Sequence, residues 1–63
     1  MNARINFLIA AINDNAKYID FVRHDTDLLN DTKKETIYKI SNIILNNALE
    51  LQTLIVNENE TFN

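Results

Sequence analysis

Neither glycine nor proline occurs anywhere in this 63-residue chain. Glycine is the residue that enters left-handed turns without steric cost, and proline is the one that pre-sets a turn. A chain that lacks both must make its reversals with Asn or Asp, or make very few of them. An all-β fold, with a tight hairpin every few residues, is hard to build under that restriction. Two long helices joined by one connection need a single reversal. The length allows one domain, and a domain this small buries only about 60% of the surface of its unfolded chain. Such scaffolds usually lean on a disulfide, a metal or a second chain. With no cysteine and one histidine, His24, the first two are missing. Association is what remains.

The apolar residues repeat with helical spacing. At ~100° per residue, Ile5, Phe7, Leu8, Ile9, Ala11, Ile12, Ala16, Tyr18, Ile19 and Val22 share one side of a first helix expected over about 3–24. Asn6, Asn13, Asp14, Lys17 and Asp20 share the other. The run 25–31 (DTDLLND) is dense in residues that favour caps and turns, and is expected to connect. A second helix is expected over about 32–57, opened by Thr32-Lys33-Lys34-Glu35, which has the form of a capping box. The tail 58–63 is polar and acidic and is expected to fray.

The second helix carries two apolar stripes. One is Ile37, Ile40, Ile44, Asn47, Leu51 and Leu54, in heptad spacing. The other is Tyr38, Leu45, Leu49, Gln52 and Val56. A helix apolar on two sides must be covered on two sides, which one hairpin partner cannot do. The chain is therefore expected to be all-α, an antiparallel two-helix hairpin that dimerises into a four-helix bundle. Tyr38, Leu45, Leu49, Gln52 and Val56, with Phe7, Tyr18 and Phe21, are the expected dimer or partner interface. In the hairpin, Val22 is expected opposite Ile37, Ile19 opposite Ile40, Ala16 opposite Ile44, and Ile12 opposite Asn47. Asn15 and Asn47 interrupt apolar faces, as do buried amides that fix register and oligomeric state.

Catalytic and metal chemistry find little support. His24 follows Asp20 and precedes Asp25 and Asp27, but carboxylates beside a helix end are ordinary capping residues, and a metal site needs convergent ligands. Asp25-Thr26-Asp27 lacks the glycine and terminal glutamate of a calcium loop. Ser41, the one serine, has no base within reach and is expected to bond back to its own helix. The stretch Ser41-Asn42-Ile43-Ile44-Leu45 keeps only the serine of the Ser-Gln-Glu-Leu-Asp motif of small sporulation phosphatases. No catalytic residue, cofactor or metal is expected.

The net charge of −3 argues against a general nucleic-acid binder. Lys17, Arg23, Lys33, Lys34 and Lys39 do gather near the connection, and an RNA-binding bundle using them on phosphates is an alternative reading. The two-helix plan is similar, in length and plan alone, to small plasmid-encoded RNA modulators that dimerise into four-helix bundles. A structural subunit of a larger helical complex is a third reading. The apolar run 5–12 is broken by Asn13, Asp14 and Asn15 and is preceded by one basic residue, Arg4, so no signal peptide or membrane span is expected. A cytoplasmic protein follows. Eleven Asn and nine Ile suggest an AT-rich genome, which would fit a phage or mobile element. The first expectation for function is a small non-enzymatic regulator or inhibitor that binds a protein partner through a helical face.

Overall fold

The computed structural model describes residues 3–57; the expected fraying of 58–63 falls outside them. They form two α-helices, α1 (Ala3–Arg23) and α2 (Asn30–Asn57), packed against each other as an antiparallel hairpin with no strand among the described residues. The body measures 47 × 15 × 15 Å, with a radius of gyration of 14.8 Å. A compact domain of this length would have a radius near 10.6 Å.

The corner shows how a chain without glycine reverses. α1 ends as the His24 amide donates to the Asp20 carbonyl and the Asp25 amide to the Val22 carbonyl, both at 3.2 Å. The shorter i→i−3 bond tightens the last turn and occupies a carbonyl the helix would otherwise leave open. The Asp25 carboxylate then accepts the Asp27 amide at 2.8 Å, an Asx turn. No described residue has a positive φ. The corner reverses the chain without the left-handed conformation.

α2 starts two residues before Thr32. The Lys33 amide donates to the Leu29 carbonyl at 2.9 Å, so Leu29 occupies the N-cap position and Thr32 already stands in the first turn. The Thr32–Glu35 capping box is not used. Asp31 instead supplies negative charge to the first turn, where the helix dipole favours it. Lys33, which would oppose the dipole there, reaches back: its Nζ donates to the Arg23 carbonyl at 3.3 Å, at the C-terminus of α1. A cation at that end suits the dipole and satisfies an open acceptor.

Each helix turns one heptad row toward the other. On α1 the buried or half-buried row is Ile5, Leu8, Ile12, Asn15, Ile19 and Val22; on α2 it is Ile37, Ile40, Ile44, Asn47, Leu51 and Leu54. The alternating spacing of three and four keeps such rows in contact along a pair of helices. Ala16, expected opposite Ile44, is exposed, and Asn15 takes its place in the row. Among the described residues only Ile5, Leu8, Val22 and Ile40 are buried. The core is one side chain thick because two helices enclose a seam and no interior. Leu29 points away from it, while Leu28 is half-buried near the corner.

Candidate interaction faces

The open end of the hairpin is tied by a bidentate ion pair. Arg4 Nε lies 2.6 Å from Glu50 Oε2, and Arg4 Nη2 lies 2.9 Å from Glu50 Oε1. Paired N–H···O bonds of this kind fix geometry as well as charge. The hydrogen bond from Arg4, with its positive charge as a smaller cause, holds the Glu50 carboxyl below its ordinary range. The same hydrogen bond raises the Arg4 guanidinium above its own. Arg4 also stands 5.0 Å over the Phe7 ring, a cation–π contact. Sequence reasoning missed this cluster, as it missed the Lys33 contact. Both join residues far apart in the chain, and no local pattern marks them.

The residues expected at an interface lie on two separate faces. Phe7, Tyr18 and Phe21 line one flank of α1, roughly 115° round the helix from its α2-facing row at ~100° per residue. This is the flank carrying the Arg4–Glu50 pair. Tyr18 and Phe21 stack with centroids 6.2 Å apart and planes 12° from parallel. Tyr38, Leu45, Leu49, Gln52 and Val56 run along the outer side of α2, about 150° round from the row that meets α1. Every one of these eight is exposed, and the apolar and aromatic ones are between 52% and 81% open to solvent. Singly exposed leucines need no explanation, but a row that sets Tyr38, Leu45, Leu49 and Val56 along one side of a helix does.

Charge is divided along the length of the hairpin. Among residues 3–57, the only Asp, Glu, Lys or Arg outside 14–39 are Arg4 and Glu50, and those two are paired with each other. The open half therefore shows solvent an amide and hydrocarbon surface. The corner half carries mixed charge. Lys17, Arg23, Lys33, Lys34 and Lys39 are there, interleaved with carboxylates, and Lys39 Nζ lies 3.0 Å from Glu35 Oε1. No basic stripe stands apart from the acids.

The remaining candidates are engaged locally. Asn15 Nδ2 donates to the Ala11 carbonyl of its own helix at 2.9 Å. Asn47 is half-buried in the α2 row. The Arg4–Glu50 and Arg23–Lys33 pairings put Asn47 opposite the early part of α1, so the two amides occupy different layers. His24 Nδ1 sits 2.8 Å from the Asp20 carbonyl and 3.4 Å from its carboxylate, on the surface. The Ser41 hydroxyl donates to the Tyr38 carbonyl at 2.7 Å, the local bond expected of it. Among the described residues there is no group of three or more His, Cys, Asp or Glu placed to hold a metal, and no helix is long and apolar enough to cross a membrane.

No protein-family model, curated protein or solved structure matches this chain. What it does must be read from its surface.

Proposed function

We propose that the chain is a non-enzymatic protein-interaction module, a helical hairpin that dimerises into a four-helix assembly and acts on a protein partner through the helical face left uncovered. A small regulator or inhibitor is the role that fits. The exposed apolar row on the outer side of α2 carries this reading. Leu45, Leu49 and Val56 are each more than half open to solvent, while among the described residues only four of the hairpin's own seam are buried. A fold with so little interior and so much apolar exterior gains stability when another helix covers that row. The basic residues near the corner do not favour the RNA-binding alternative, because acids lie among them.

The row is testable by substitution. Leu45→Glu together with Leu49→Glu should leave a helical chain whose mass by light scattering is that of a monomer, with the parent chain dimeric at the same concentration. An unchanged, folded oligomer would move the association to another face, and a monomeric parent would remove it.

A further inference from the structure

The outer row of α2 is complementary to itself when read backwards. Continued through its one remaining heptad position, it is Tyr38, Asn42, Leu45, Leu49, Gln52 and Val56, with gaps of four, three, four, three and four residues. That is the alternation of a and d positions in a coiled-coil seam. Lay a second α2 antiparallel on the first, with the twofold axis beside residue 47. Leu45 then meets Leu49 of the other copy, Asn42 meets Gln52, and Tyr38 meets Val56. Every layer sets apolar against apolar or amide against amide, and every layer pairs an a-type with a d-type position. An isologous contact needs this property.

The parallel alternative also matches like with like over these six positions, but charge separates the two. One heptad back along the row stand Glu35 and Asp31. A parallel pair would set Glu35 against Glu35 and Asp31 against Asp31, and would bring Lys34 beside Lys39 of the other copy on the flank. All three are like-charge contacts, which disfavour a pairing. The antiparallel pair removes them, since it overlaps residues 38–56 and sends the two charged corners to opposite ends. Over the rest of that overlap Lys39 and Glu50 are the only charges. Lys39 is held by Glu35 and Glu50 by Arg4, so neither need be stripped of its partner.

We infer that the occupant of the outer α2 row is a second copy of this chain, seated antiparallel with α2 on α2. This rests on the interaction-module reading and gives it a geometry. Because the two rows of α2 lie about 150° apart at ~100° per residue, the helices stand nearly in line, α1–α2–α2–α1. A square bundle would need those rows near a right angle. The aromatic flank of α1 stays open in this arrangement.

The absence of cysteine makes the geometry readable by cross-linking. Tyr38→Cys and Val56→Cys chains are prepared separately, mixed, and oxidised mildly with diamide, with mass by light scattering and helicity by circular dichroism recorded on the same samples. The expected product is the mixed disulfide, with little of either homodimer. Tyr38→Cys cross-linked to itself would overturn the antiparallel seam in favour of the parallel one. A dimeric mass with no cross-link of either kind would overturn the α2 seam while leaving self-association standing. A helical monomer for the cysteine-free parent would overturn both.

Discussion

Among the described residues, the Arg4–Glu50 pair is the ionic contact that joins α1 to α2 near their open ends. The carboxyl of Glu50 is lowered from its ordinary value. The folded state therefore binds its proton less readily than the unfolded chain does. The pair's contribution is present above the ordinary glutamate value of 4.5 and is lost as pH falls through the lower folded value. Both side chains are substantially exposed, so solvent screens the pair and its effect on stability is small. A Glu50→Gln chain should melt slightly below the parent at neutral pH, and the gap should close on acidification. Melts followed at 222 nm across that range would check it, and a gap independent of pH would show that the pair is idle. The residue scale is also where the sequence was hardest to read. Arg4 and Glu50 look like ordinary surface charges until the register of the hairpin is known to within a turn. Asn15 looks like a core amide seeking a partner, but the Ala11 carbonyl one turn back already engages it.

At the scale of elements, heptad spacing and the missing glycine and proline made both helices legible, because amphipathic periodicity reports burial directly. The start of α2 was not legible. Asn30, Asp31 and Thr32 are all good cap residues, and which one begins a helix depends on where the preceding turn delivers the chain. Here the Asx turn at Asp25 delivers it at Leu29, whose side chain cannot cap and which is 76% exposed. Leu29→Asp should put an acceptor where the first free amides of α2 point. The expected gain is ~1 kcal/mol, a rise in melting temperature of roughly 4–8 °C for a domain of this size. Thr32→Ala, which would be costly if Thr32 were the cap, should shift the melt very little. Thermal melts of the two variants would decide between these starts, and the reverse ranking would restore the later one. The two stripes of α2 were legible as stripes, but their roles needed the partner helix in place, since either could have faced α1.

The whole molecule is a thin rod whose two ends differ in kind. The corner half holds the charge and the open half holds nearly all the uncovered aliphatic side chains, Ile9, Ile43, Leu45, Leu49, Ile55 and Val56 among them. Association through α2 predicts a melting temperature that rises with chain concentration, because only the folded chain dimerises. A dilution series read by calorimetry would show it, and a melt that ignored concentration would mark a monomer. The division of charge has a second consequence, for the solutes to which the molecule responds. Salt acts on exposed ions over a Debye length of about 8 Å at physiological strength, so among residues 3–57 it reaches the corner and finds only the Arg4–Glu50 pair to screen in the other half. A mild non-ionic detergent does the opposite, competing for hydrocarbon and leaving ions alone. A dimer seated on the outer α2 row should thus withstand molar sodium chloride and come apart in detergent, so that buffer composition alone can tell a hydrocarbon seam from an ionic one.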